Sequence, residues 1–366
     1  MKTTLQVKLL PSLAQHALLL ETMHAFNAAC TWIAAYAYAA RCAAKFVLQK
    51  ALYQEIRQRF GLSAQLAIRA IAKAVEAYKR DKAQQVAFRA DGAVVYDERI
   101  LSFQGLEFAS LMALSGRVVV PMQMGVYQRV RFSRAHGQAD LVLVHGQFFV
   151  LVTIDTPEEP PMQPTHFLGV DLGIVQLATD SDGHSYTGAE VERVRVRCGT
   201  ARQTYQATGT KAAKRRLKKM SGKESRFRRG VNHRIANTLV AKAKDTKAAL
   251  VLEELTHMRS RLTVRTSQRN RHNGWGFAQL RAFIAYKALL AGVPLMIVDP
   301  RNTSRTCSQC GFVDKRNRRS QAEFSCLRCG HQANADHNAA RNLATRGAVS
   351  HPHLCAPVHG QLACSW

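Results

Sequence analysis

The sequence predicts a multidomain chain, with an α+β half followed by an α/β half that carries a small four-cysteine ribbon. Three observations predict it. A helical stretch interrupts two regions of strand period, apolar strand runs then alternate with helical ones, and two C-x-x-C pairs stand late in the second half. At 366 residues the chain is long enough for two or three domains. Its 47% hydrophobic content lets it bury a core.

Lys2 to Leu10 alternates as a strand and stops at Pro11. From Ser12 to about Arg80 the pattern is helical, rich in Ala, Leu, Gln and Glu, and punctuated by Gly61. Ile68, Ile71, Val75 and Tyr78 form one apolar stripe, expected to pack inward. That leaves Gln65, Arg69 and Lys73, four apart, on an outward line: either a solvated face or a set able to read base edges. After about Val86 the period becomes two. Val94–Tyr96, Arg117–Val120 and Val126–Phe132 read as strands, and Leu141–Val144 with Gln147–Ile154 as a hairpin turning at His145-Gly146. Thr156 to Thr165 holds four of the ten prolines and marks a domain boundary.

Phe167 to Tyr186 reads as three short strands separated by turns. Arg193 to Arg234 is mostly helical and carries fifteen Lys and Arg against one Glu, with KRRLKKM and RFRRG at its centre. Ala248–Glu253 and Val293–Val298 are apolar enough to be buried strands, with a helix over Gln279–Ala291 between them. Asp336 opens a short helix that stops at Gly347, and the remaining tail lacks a pattern.

Cys307, Cys310, Cys326 and Cys329 form the pairs TCSQCGF and FSCLRCGH. Each pair is followed by a glycine, which lets a tight turn aim two thiolates at one ion. The intervening residues suffice for a hairpin joining two such knuckles. Four thiolates make a closed, structural zinc site with no open position for catalysis. The five scattered cysteines, Cys30, Cys42, Cys198, Cys355 and Cys364, do not make a secreted disulfide framework. His331 is a further donor type beside the cluster, expected to be solvated. Arg316, Arg318 and Arg319 are expected at the hairpin tip, facing phosphate.

Asp171 follows one apolar strand, Glu253 ends a second, and Asp336 begins a helix after a third. Singly these are turn or cap residues. In an RNase H-like sheet the three positions converge, and three carboxylates cannot all ionise there without a compensating charge. Two Mg²⁺ or Mn²⁺ ions would remove that penalty and suit hard oxygen ligands. Strand alternation leaves a choice between Glu253 and its neighbour Glu254.

The charge balance is 52 Lys and Arg against 25 Asp and Glu, a net +27. That excess fits a polyanionic partner. No signal-peptide pattern is seen, and the longest apolar-rich run, Ala28 to Ala40, is too short to span a bilayer. A reducing cytoplasm, in contact with the nucleoid, is the expected location.

In this order, GVDLGI, LVLEELTHMR, DPRNTSRTCSQCG…CLRCG and ADHNAARNL resemble the TnpB family of transposon-encoded, RNA-guided DNA endonucleases, similar to compact type V CRISPR effectors. The resemblance is strongest from about Phe167 to Leu343 and extends upstream through FNAACTWIAAYAY and EAYKR. It implies a β-barrel wedge domain (1–13 and 86–156) with a helical recognition insertion (14–85). A RuvC, RNase H-like nuclease domain (157–304 and 334–347) with an inserted four-cysteine zinc ribbon (305–333) would follow, then a flexible tail (348–366). It implies that Asp171, Glu253 and Asp336 are the catalytic acids and that a guide RNA, encoded near or overlapping the gene, pairs with double-stranded DNA beside a short flanking motif. One protein per RNA is expected. Lys214, Arg215, Arg216, Lys218, Lys219, Arg226, Arg228 and Arg229 are expected to meet nucleic acid, together with Gln65, Arg69 and Lys73. Trp275 matches a family position, though a core aromatic reads the same way. The family's phenylalanine pair after the AYK helix is replaced by Arg80-Asp81, which weakens any transfer of flanking-motif contacts. Two other classes remain: a guided repressor without cleavage, which the intact acids argue against, and a transposase, which the Asp-Glu-Asp order disfavours.

Overall fold

The computed structural model describes residues 1–133, 135–254 and 276–351. Trp275, the stretch after Glu254 that precedes it, and the tail beyond His351 lie outside the described residues. Contacts divide the chain at Pro157/Glu158, within the proline-rich segment.

The first unit opens with strand β1 (Lys2–Leu9). Three helices follow: α1 (Leu13–Ala39), α2 (Lys45–Phe60) and α3 (Ala64–Arg80). Ser12 and Gln15 close a capping box at the start of α1, and Gly61 ends α2 in the left-handed region. Next come β2 (Val94–Tyr96), β3 (Leu101–Gln104), β4 (Phe108–Ala113) and β5 (Gly116–Gln123). A short helix α4 (Val126–Phe132) and the hairpin β6 (Ala135–Val144) and β7 (Gln147–Asp155) complete the unit. The seven strands form one antiparallel, nearly closed sheet in the order β2-β6-β7-β1-β5-β4-β3. Its core joins Leu5, Val7 and Leu9 of β1 to Phe26 and Ile33 of α1 and Ile71 of α3.

Two expectations change here. Val126–Phe132 is a helix: the Gln128 side chain accepts the Gly125 N–H at 2.8 Å and turns the chain out of the sheet. The line Gln65, Arg69 and Lys73 does not stand free. Gln65 donates to Asp97, and Arg69 meets the same carboxylate at 2.7 and 2.8 Å. Lys73 donates to Asn27 Oδ1 at 2.9 Å and to the Ala93 carbonyl, beneath the rings of Phe26 and Phe88. Burial pushes the Lys73 ammonium below its ordinary pKa. The inward face is set by Leu66, Ala67, Ala70, Ile71, Ala74, Val75 and Tyr78, a broader stripe than the one expected, and Ile68 is only half-buried.

The second unit contains β8 (His166–Asp171), β9 (Gln176–Asp180) and β10 (Ser185–Thr187), then α5 (Ala189–Thr208) and the long α6 (Lys211–Asp245). After these come β11 (Ala248–Glu253), α7 (Phe277–Leu290) and β12 (Leu295–Val298). The small strands β13 (Glu323–Ser325) and β14 (Gln332–Asn334) lead into α8 (Ala335–Ser350). The five-stranded sheet runs β10-β9-β8-β11-β12, with β8–β9–β10 antiparallel and β8, β11 and β12 parallel.

Strand alternation sorts this sheet into two faces. Leu168, Val170, Leu250 and Leu252 pack with Leu239 of α6 and Leu280 and Ile284 of α7. Ala249, Val251, Met296 and Val298 pack with Leu343 of α8. The C-terminal half of α6 is therefore core, while its N-terminal half is polar and basic. Lys214, Arg215, Arg216, Lys218, Lys219, Arg226 and Arg229 are exposed there, and Arg228 is half-buried.

Candidate active site and metal centre

Asp171 and Glu253 arise from register. Val170 pairs with Leu252 across the parallel β8–β11 ladder, so the next residues, Asp171 and Glu253, end the two strands side by side. Both follow residues that face the α6–α7 layer, so alternation turns both toward α8. Glu254 goes the other way and is gripped by both guanidinium nitrogens of Arg281 on α7, at 2.6 and 2.9 Å. Of the two neighbours, Glu253 is the one turned toward α8.

Asp336 stands in the first turn of α8, whose cap Asn334 accepts the N–H groups of Asp336 and His337. The helix is held against β8 by backbone proximity. A Cβ at Gly169 would lie 2.0 Å from the Ala340 carbonyl oxygen, so glycine is required for this approach. His337 also meets the Ser181 carbonyl at 3.0 Å, and Ser181 pairs back to Gly169.

The electrostatics follow from this packing. Burial, then the Glu253 and Asp336 carboxylates, push Asp171 well above the ordinary carboxylate range, against the opposing charge of Arg318. Burial pushes Glu253 up to about 7, opposed by Arg346. Asp336 is raised by burial, and Arg318 pulls against it. A set of oxygen donors that repel one another, with only partial cationic compensation, has the chemistry of a site for hard divalent cations.

Arg318 is a residue the sequence reading misplaced. It was expected to face phosphate at a hairpin tip, yet it donates to Asp336 at 3.3 Å and to the carbonyls of Ser320 and Gln321. Arg316 is paired with Asp314 at 2.9 Å. Nothing in the local sequence distinguishes Arg318 from its neighbours; the bridge between Arg318 and Phe324 turns it toward α8.

The cysteines form the second centre. All four sulfurs lie within 4.8 Å of one another, the one such group of three or more His, Cys, Asp or Glu among the described residues. Cys307 and Cys329 sulfurs are 3.7 Å apart, and those of Cys310 and Cys326 are 3.6 Å apart. A disulfide needs about 2.05 Å. Sulfurs ~2.3 Å from a tetrahedral ion stand about 3.8 Å from one another, so the spacing fits zinc. Gly311 and Gly330, both at φ 74°, close matching knuckles. Burial raises the Cys326 thiol, but the N–H groups of Cys329 and Arg328 outweigh it and bring it down to about 7. Asn317 ties the knuckles together by donating to Arg305 and Phe312 carbonyls and accepting from Leu327 N–H. His331 is half-buried and stands beside the cluster. Asn338 and Asn342 of α8 hold the Thr306 carbonyl at 2.8 and 2.7 Å, so the helix bearing Asp336 also anchors the ribbon.

Metal analysis of the undenatured protein should find about one zinc per chain. Cys307→Ser should lower that content and loosen residues 305–333 to proteolysis while the five-stranded sheet keeps its thermal transition. Zinc-free parent protein would exclude the reading.

Two family models match. The OrfB_IS605 model, described as "Probable transposase", covers residues 149–257, and the Cas12f1-like TNB domain model covers residues 277–343. This chain is similar in sequence to TnpB-like and Cas12f proteins. It is 33% identical over 205 residues to the CRISPR-associated endodeoxyribonuclease Cas12f1 of Sulfoacidibacillus thermotolerans, covering 51% of this chain and 47% of that protein. It is 27% identical over 261 residues to Cas12f1 of Syntrophomonas palmitatica, covering 58% and 52% of the two chains. The TnpB-like protein MJ0751 of Methanocaldococcus jannaschii is 31% identical over 128 residues, 35% of this chain and 45% of that one. The chain spans about half the length of the curated relatives it matches. Among the described residues, no helix is long and apolar enough to cross a membrane.

Proposed function

We propose that this TnpB and Cas12f relative is an RNA-guided, metal-dependent DNA endonuclease. The observation that carries the reading is the meeting of Asp171, Glu253 and Asp336 on one face of a sheet ordered 3-2-1-4-5. That order is what an RNase H-like, RuvC-type nuclease domain requires. The unit before it would be a wedge barrel with a helical recognition insertion. The names of the Cas12f relatives, as DNA endonucleases, support the same class.

Asp171, Glu253 and Asp336 would hold two Mg²⁺ or Mn²⁺ ions, whose chemistry is to activate water and stabilise the leaving oxygen of a phosphodiester. The chain's own residues do the rest. Arg318 orients Asp336 and offsets part of the repulsion among the acids. The Gly169–α8 contact fixes the distance between strand and helix carboxylates. The exposed basic half of α6 would track phosphates. For Gln65, Arg69 or Lys73 to touch a flanking duplex, each would first have to release Asp97, Asn27 or Ala93. One site would cut both DNA strands in turn, in the cytoplasm, with one protein per RNA. Base pairing would choose the sequence.

A structured RNA should copurify, and cleavage should follow its guide segment when that is rewritten. RNA binding should weaken steeply with salt, because each phosphate contact releases counterions. Equal cutting of unrelated DNA by RNA-free protein would exclude guidance. Arg318→Ala should slow cleavage about tenfold or more, and Arg318→Lys should restore part of it; equal loss in both, or in neither, would remove Arg318 from the site.

A further inference from the structure

We propose that the outer face of α4 is a stacking site for an unpaired base of the guide RNA; the proposal rests on the RNA-guided reading above. The helix is fastened on one side only. Phe132 is buried and meets Phe103 edge-on at 4.8 Å, and Gln128 donates to the Gln6 carbonyl of β1 at 3.4 Å. Arg129 bonds back to the Met124 carbonyl at 3.4 Å. The other side presents Val126, Tyr127 and Val130, which are 80%, 63% and 67% exposed. Arg131 covers part of the Tyr127 ring, with its guanidinium carbon 4.0 Å from the centroid, and donates to the Tyr127 carbonyl at 3.3 Å. The ring is thus held in place before anything binds, so less ordering entropy is lost on contact.

The chemistry of this face selects its occupant. It offers a flat aromatic body, two small apolar flanks, and the arginines Arg129 and Arg131 with no acid in the helix. An unstacked base has the complementary face, and its phosphate the complementary charge. A second copy of the chain would bring the arginines of two identical faces together, which repels. Two turns of helix are also a small area for a protein partner.

The test uses the full-length protein with fluorescein-labelled oligouridylate, and with a 4-thiouridine-substituted transcript of the copurifying RNA. Stacking of one base is worth about 1–3 kcal/mol, so Tyr127→Ala should weaken oligouridylate binding roughly five- to 150-fold. Tyr127→Phe should bind like the parent, which separates loss of the ring from loss of fold. Ultraviolet light should crosslink 4-thiouridine to α4. If the parent binds RNA and Tyr127→Ala binds equally well, the stacking site is wrong while the guided reading stands. If the parent binds no RNA, both fail. A concentration-dependent dimer that Val130→Asp dissolves would assign the face to self-association and overturn the proposal.

Discussion

Asp171→Ala, Glu253→Gln and Asp336→Ala should each abolish DNA cleavage, by about a thousandfold or more, while RNA and target binding persist. The reasoning is electrostatic. The three acids gain nothing structurally from proximity: burial pushes Asp171 and Glu253 upward, and the neighbouring carboxylates add to it at Asp171, so their neutral variants should fold at least as well as the parent. On the proposed reading, what they would lose is ligation of the ions that activate water. Glu254→Gln is the internal control. It breaks the pair with Arg281, which is partly exposed and worth under about 1 kcal/mol, on the opposite side of the strand. Rates from single-turnover cleavage, beside affinities from filter binding, check both claims. A dead Glu254→Gln beside an active Glu253→Gln would reverse the assignment made from strand alternation.

The positions of Asp171 and Glu253 were legible because strand ends are legible. Asp171 and Glu253 each close an apolar run of four or five residues, and parallel pairing puts such ends at one edge. The choice between Glu253 and Glu254 was not legible, because it depends on which face each preceding residue packs against. Leu252 settles it only once α6 and α7 are seen to cover it. The cysteines were legible because their pattern is local and complete within 23 residues. Segment Val126–Phe132 misled because Val126, Gln128, Val130 and Phe132 alternate like a strand, yet the Gln128 cap at Gly125 starts a helix there, which leaves Val126 and Val130 exposed. Strands β3 and β4 escaped notice because each is short and closely bounded by turns. Gln65, Arg69 and Lys73 were displaced by partners far along the chain, Asp97 and Ala93, that no helical wheel contains. Arg318 was missed for the same reason: its partner Asp336 lies across the ribbon.

Gly169→Ala should destabilise the second unit by roughly 3 kcal/mol and cut cleavage with it, although the residue carries no chemistry. Overpacking commonly costs about 1–3 kcal/mol, and this case belongs at the top of that range because the obstacle is backbone. An added methyl would stand 2.0 Å from the Ala340 carbonyl oxygen and 2.5 Å from the Ala344 nitrogen, and α8 cannot rotate a side chain out of the way. The helix must lift, yet it is fixed along its length. His337 holds Ser181, Asn342 holds Thr303 and Thr306, and Arg346 holds the carbonyls of Asp299 and Arg301. Gly347 also packs closely, since a Cβ there would lie 2.5 Å from Val251 Cγ2. Lifting α8 also moves Asp336 away from Asp171 and loosens the first cysteine knuckle, which hangs on Asn338. Gly230→Ala, in α6 where a Cβ meets nothing within 4 Å, gives the opposite expectation: a gain of about 0.5–1 kcal/mol from helix propensity alone. Denaturant unfolding of both variants, followed by far-ultraviolet circular dichroism, separates the two cases. A Gly169→Ala protein as stable as its parent would mean that α8 does not lie directly on β8, and the argument that strand and helix share one carboxylate site would fall with it.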